Sequence, residues 1–91
     1  QGLTSFLLFR YGDASPCAVP LELVWRLEKV EVSQIEHAAG SRVLQYRGEL
    51  MRLLSLDTAF NLPESGMVHV IVFYYDGRIV GLPVKEIIDI V

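Results

Sequence analysis

The apolar residues of the chain form two pairs of short runs, and a glycine-containing turn separates the members of each pair. In the first pair, Gly48-Glu49 lies between the runs 42–47 and 50–56. Glycine at the first position of a two-residue loop favours a type II′ hairpin turn, which requires positive φ at that position. The face expected to be core contains the predicted cross-strand pairs Tyr46 with Met51 and Leu44 with Leu53.

The opposite face of this hairpin is mostly polar and carries Gln45, Arg47 and Arg52 beside Leu50. Two arginines and a glutamine next to a tight turn are within reach of a partner molecule. A solvated face is the more common explanation of such a pattern, and the residues alone favour it.

The second pair of runs provides the strongest local signal in the chain. Asp76-Gly77 is typical of a type I′ hairpin turn, and it separates the strands predicted over 68–75 and 78–84. The first of these strands is apolar on both faces. We therefore expect it to be a central strand, because an exposed edge of this composition would promote aggregation.

The N-terminal part of the chain predicts short strands over 5–11 and 17–19, with Pro20 opening a helical turn over 21–24. A strand is then expected from Val24, although a helix over 21–29 is an alternative because apolar residues also recur there at helical spacing. The remaining expectations are a polar connector over 33–37, a turn over 38–41, and a short helix over 58–62 capped by Asp57. The predicted fold is mainly β, with one or two short helices, as in small barrels.

Length and charge exclude several classes of function. At 91 residues the chain is one domain or a piece of one, and its start at Gln1 and its apolar end at Val91 favour a fragment of a longer protein. A formal net charge of −3 argues against nucleic acid as a partner, which requires a clustered basic surface. Membrane insertion is not expected either, since no apolar run approaches the roughly 20 residues that span a bilayer.

The residues that could perform chemistry are scattered. Cys17 is the only cysteine, which favours a reducing compartment such as the cytoplasm and excludes an intrachain disulfide. His37 and His69 have no metal-ligand spacing, and no serine, cysteine or threonine forms a recognisable nucleophile and base pattern. We therefore expect no catalytic residue, no cofactor and no metal. Trp25 beside Arg26 is either a core residue, which is slightly favoured, or an anchor for a partner.

The order and spacing of several segments resemble a known family. These segments are 18–21, 24–28, Ile35-Glu36, 43–51, 70–73, 76–78, 80–82 and 87–91. Together they are similar to the CheW-like regulatory domain at the C-terminal end of the chemotaxis histidine kinase CheA. The motif Gln45-Tyr46-Arg47-Gly48 resembles the CheA version more than free-standing CheW, which more often has Asn-Leu-Arg-Gly there.

This resemblance implies two SH3-like β-barrels and a non-catalytic scaffold that links the kinase to a CheW-like adaptor and to the cytoplasmic tip of chemoreceptors. It places Val24, Trp25 and Arg26 near a receptor-facing groove, and Arg47 on the same surface. A free-standing CheW-type adaptor and a generic SH3-like module for a peptide or small ligand are the alternatives. An enclosed pocket lined by Trp25 and Tyr46 would favour the generic module.

The chain also departs from the family pattern. Arg52 replaces the proline that is usual in the family, and Lys85 replaces the usual aspartate. These replacements leave open which of the family's partner surfaces this chain keeps near the two positions. Family members usually continue beyond the stretch that matches 89–91, so one barrel is expected to be incomplete at its C-terminal end. We therefore expect an exposed strand edge there, which a second copy of the chain pairs by edge addition or strand exchange.

Overall fold

Nine strands make up most of the chain in the computed structural model, which describes residues 4–13, 15–56 and 61–91. The strands are β1 (Phe6–Arg10), β2 (Cys17–Pro20), β3 (Val24–Glu31), β4 (Glu36–Ala38), β5 (Ser41–Tyr46), β6 (Glu49–Leu53), β7 (Met67–Tyr75), β8 (Arg78–Val84) and β9 (Glu86–Ile90). Two single 3-10 turns, Leu21–Leu23 and Val32–Gln34, flank β3, and the described residues contain no α-helix. The prediction of a mainly β fold is confirmed.

The strands form two sheets that differ in size. The smaller sheet has the order β2-β1-β9, and the larger has the order β3-β7-β8-β6-β5-β4. Neighbouring strands are antiparallel except for β6 and β8, which run parallel. The turn opened by Pro20 and the strand from Val24 are confirmed, whereas the alternative helix over 21–29 is wrong.

The β5–β6 hairpin has the predicted core face but a different register. Arg47 and Gly48 both have positive φ, of 52° and 83°, so the loop is Arg47-Gly48 rather than Gly48-Glu49. Tyr46 therefore pairs with Glu49, and Leu44 with Met51. Glycine at the second position suits the type I′ turn, whose twist matches that of the strands. Each cross-strand pairing is shifted by two residues, and a shift of two keeps every side chain on its predicted face. The four residues predicted to form the core face are buried: Leu44, Tyr46, Met51 and Leu53.

Two further hairpins use the same turn geometry. Asp76-Gly77 has the positive φ values of a type I′ turn and pairs Tyr75 with Arg78, as predicted. Ala39-Gly40 repeats this geometry between β4 and β5. The polar connector predicted over 33–37 is therefore wrong in part, because β4 begins within it. Of the helix predicted over 58–62, residues 58–60 and its cap Asp57 lie outside the described residues, and 61–62 are not helical.

Strand β7 separates two hydrophobic cores. Alternate residues of β7 belong to the first core, which contains Leu44, Tyr46, Met51, Leu53, Val68, Val70, Val72 and Ile79. Ile71 points to the other side, into a second core with Leu7, Phe9, Tyr11, Leu82 and Val84 between the two sheets. Because β7 is apolar on both faces, it can bury both, and its central place between β3 and β8 is confirmed.

Strand β9 lies at the edge of the smaller sheet, near the C-terminal end where a strand edge was expected. Its pairing with β1 shifts register next to Ile88, which is a bulge. The backbone N–H of Ile90 donates to the Asp89 carboxylate at 2.7 Å. Bulges and edge carboxylates both disfavour the pairing of a further strand with a free edge. A strand that pairs with β9 must displace at least the hydrogen bond between Asp89 and Ile90.

Candidate partner-binding surface

Topology brings distant segments together at one end of the larger sheet, here called the hairpin end. β3 is antiparallel to β7, so its first residue, Val24, lies opposite Phe73 near the end of β7. The Asp76-Gly77 turn follows β7 at this end. Because β6 is parallel to β8, the Arg47-Gly48 turn that precedes β6 lies at the same end. The four residues predicted to contact a partner, Val24, Trp25, Arg26 and Arg47, are therefore all at the hairpin end.

Trp25 is presented by an irregularity in β3. The register between β3 and β7 shifts between Val24 and Arg26, which leaves Trp25 without a cross-strand partner. Its side chain is 49% exposed, so it is not a core tryptophan. The Arg26 guanidinium carbon lies 5.5 Å from the centroid of the Trp25 ring, within the range of a cation–π contact. Val24 is half-buried and packs against the second core, which anchors the start of β3.

Arg47 rests on a second aromatic ring. Its guanidinium carbon is 5.7 Å from the ring centroid of Tyr46. The Tyr46 ring is buried in the first core, and its hydroxyl donates a short hydrogen bond to the half-buried carboxylate of Glu28. Burial raises the pKa of the Tyr46 phenol, and the bond to Glu28 raises it further, while Arg47 acts in the opposite direction. The Tyr46–Glu28 bond therefore ties the Arg47-Gly48 turn to β3.

An apolar cleft opens beside these residues, and the sequence analysis did not anticipate it. The cleft has a volume of about 370 Å³ and is lined by Leu23, Leu54, Phe73, Tyr74, Tyr75 and Val80. Tyr74 and Tyr75 are 64% and 73% exposed. The sequence feature that could have predicted exposed aromatic rings here is the pair of consecutive tyrosines directly before the Asp76-Gly77 turn. Neighbouring residues of a strand point to opposite faces, and the end of a strand is seldom covered on both.

Two other clefts involve residues that were singled out as departures from the family pattern. Lys85 lines a cleft of about 400 Å³ and forms an ion pair with Asp13, which lowers the pKa of that carboxyl. Arg52 is exposed and lines a cleft of about 660 Å³. Neither Trp25 nor Tyr46 lines any of these three clefts, so they are not the pocket that would favour a generic ligand-binding module.

Residues 4–13, 15–56 and 61–91 contain neither a metal-binding cluster nor a membrane-spanning helix. In this part of the chain, no group of three or more His, Cys, Asp and Glu side chains is arranged to hold a metal ion. The same residues include no helix with the length and apolar character needed to cross a membrane. The hairpin end carries exposed aromatic rings, arginines and an apolar cleft, which are features common at protein contact surfaces.

Comparison with known proteins agrees with this arrangement. The family model described as the CheW-like domain matches residues 5–91, which includes both sheets and the whole hairpin end. No curated protein matches the chain. Because the family match covers nearly the full length, the chain belongs to the CheW-like domain family.

Proposed function

We propose that this chain is the coupling domain of a chemotaxis-type histidine kinase. CheW-like domains are non-catalytic modules of chemotaxis signalling that bind chemoreceptors and the proteins CheA and CheW. The family match over residues 5–91 carries the proposal. The CheA-like motif at 45–48 supports a position of this domain within a histidine kinase in the cytoplasm. There the domain links the kinase to a CheW-like adaptor and to receptor tips. A free-standing CheW-type adaptor is the alternative.

The proposed contact surface is the hairpin end. Trp25, Arg26 and Arg47 are exposed, and Val24 holds the first two in place. The neighbouring cleft is mostly apolar, so burial of its tyrosine and leucine side chains would supply most of the binding free energy. Arg26 and Arg47 would set the orientation of the partner, as charged groups at interface rims do.

Replacing Arg47 with glutamate, or Trp25 with alanine, is expected to weaken binding of the adaptor or the receptor tip by at least ~1 kcal/mol. The fold should remain intact, because both side chains are exposed at the surface. Isothermal titration with each partner measures the loss. Arg42→Glu is the matched control, since Arg42 lies near the opposite end of β5 from Arg47. Unchanged affinities for both partners in both variants would remove these residues from the contact surface.

The choice between a kinase domain and a free-standing adaptor rests on the parent gene. An ATP-binding kinase domain encoded directly upstream is the expected result. A gene that encodes a CheW-like domain alone would favour the adaptor.

We also propose that the β9 edge pairs with a second copy of the chain. Ile88, Ile90 and Val91 are 39%, 52% and 60% exposed along this edge. Pairing would cover them but must displace the Asp89–Ile90 hydrogen bond, so we expect weak association. Sedimentation velocity should show an average mass that rises with concentration, and Ile90→Lys should abolish that rise. A concentration-independent monomer would contradict the proposal.

A further inference from the structure

In the part of the chain that the structure describes, Arg26 and Arg47, two arginines of the hairpin end, each contact an aromatic ring but no carboxylate. Among the described residues, neither Arg26 nor Arg47 forms an ion pair; the ion pairs found there are Arg10–Glu86 and Lys85–Asp13, both away from the hairpin end. Each guanidinium instead lies over a ring, of Trp25 or of Tyr46. A guanidinium stacked on a ring keeps its N–H groups at the edge, available for bidentate bonds to a carboxylate.

Glu28 lies two residues from Arg26 on β3 and is bonded to the hydroxyl of Tyr46, the residue before Arg47. Glu28 and Arg26 both lie opposite residues of the first core, Val70 and Val72, so they share a face. Two residues of a strand span about 7 Å, within reach of these long side chains. An internal ion pair with either arginine is therefore within reach, yet Glu28 forms neither.

The Tyr46 hydroxyl donates a hydrogen bond to one carboxylate oxygen of Glu28. This bond holds the carboxylate at Tyr46 rather than at a guanidinium. The formal net charge of the chain is −3, so attraction of an acidic ligand would have to come from this local pair and not from the overall charge.

We propose that Arg26 and Arg47 bind the carboxylates of an acidic segment of a partner protein, and that the Tyr46 hydroxyl keeps Glu28 from competing for them. This inference rests on the proposed function, for which it names the chemistry of the partner. Tyr46 acts here as a positioning residue, because it touches Glu28 and Arg47 and need not touch the partner.

A hexaglutamate peptide is a direct probe of this surface. Trp25 is the only tryptophan, so its fluorescence reports binding at the site. We expect saturable binding that weakens with added salt, and no binding of hexaglutamine or hexalysine. Arg26→Gln and Arg47→Gln should each weaken hexaglutamate binding about two- to fivefold, while the control Arg42→Gln leaves it unchanged. Failure of hexaglutamate to bind, or equal binding of hexaglutamine, would overturn the inference.

The role of Tyr46 has its own test, a double-mutant cycle made of Tyr46→Phe, Glu28→Gln and the two combined. Tyr46→Phe keeps the ring beneath Arg47 but frees Glu28, so hexaglutamate binding should weaken. Adding Glu28→Gln should restore the affinity, because no competing carboxylate remains. A merely structural role of Tyr46 predicts no restoration, and that result would overturn the proposed sequestration of Glu28. Urea denaturation of each variant verifies that it is folded.

The outcomes separate this inference from the proposed function. If Trp25→Ala weakens adaptor or receptor binding while hexaglutamate does not bind, the inference fails and the function stands. If hexaglutamate binds through the arginines while neither adaptor nor receptor binds, the function fails and the acidic-ligand surface remains.

Discussion

Replacing Ile71 with alanine is expected to lower the free energy of unfolding by about 2–5 kcal/mol. The side chain of Ile71 is 0% exposed and lies between the two sheets, where it packs with Leu7 and Leu82. Removing it loses the transfer free energy of the buried carbons and leaves a cavity that the sheets can close only in part. For a domain of this size, that loss is a large share of the total stability.

Urea denaturation followed by circular dichroism measures this effect. Leu50→Ala is the matched control, because Leu50 is 57% exposed on β6 of the same sheet and should change stability by less than about 0.5 kcal/mol. Because β7 borders both cores, we expect a single cooperative transition in each protein. An Ile71→Ala variant as stable as Leu50→Ala would show that Ile71 does not join the two sheets.

Gly81→Ala is expected to destabilise the domain by about 1–3 kcal/mol. A Cβ atom at Gly81 would lie 2.8 Å from Cγ1 of Val70, 2.9 Å from Cδ2 of Leu53 and 3.0 Å from Cε of Met51. All three neighbours are buried in the first core, so they cannot move into solvent. The added methyl group must displace packed side chains, and the cost is steric.

A double-mutant cycle with Val70→Ala isolates this steric cause. Val70 is the nearest neighbour, so its truncation should make room for the new methyl group. The stability loss caused by Gly81→Ala should therefore be smaller in the Val70→Ala background than in the wild type. Additive losses in urea denaturation would contradict an overpacked contact between these two positions.

Local chemistry was sufficient to predict much of the fold. The Asp76-Gly77 pair predicted its hairpin because both residues tolerate positive φ. The apolar run of β7 predicted a central strand, since only a position between two cores buries both of its faces. Pro20 predicted the turn before β3, because proline suits the first position of a helical turn. Each of these conclusions rests on neighbouring residues alone.

Register and short strands were less predictable. Gly48 fits either position of a two-residue loop, and the choice shifts the pairing of Tyr46 and Leu44 without changing their faces. Strand β4 was missed because its three residues, Glu36–Ala38, are polar or small and all exposed. Such a strand forms because β5 offers a free edge beside it, which no pattern within β4 reveals.

For the candidate surface, the sequence and the family resemblance selected Val24, Trp25, Arg26 and Arg47, which the fold brings to one end of the larger sheet. Their role in binding a partner stays a prediction. The sequence analysis gave Glu28 no role at this surface. Its importance depends on the Tyr46 hydroxyl, eighteen residues away in the chain. The sequence analysis likewise assigned Tyr74 and Tyr75 to a strand without expecting a cleft.

The sequence by itself determined the mainly β character, the Asp76-Gly77 turn, the turn opened by Pro20 and the buried face of the β5–β6 hairpin. These features follow from side-chain alternation and local backbone preference. Only the tertiary structure decided the register of that hairpin, the exposure of Trp25 and the bond between Tyr46 and Glu28. These depend on which strands become neighbours across the sheet. The parallel pairing of β6 with β8 brings the Arg47-Gly48 turn to the end of the sheet where β3 begins, and so creates the surface proposed to bind a partner.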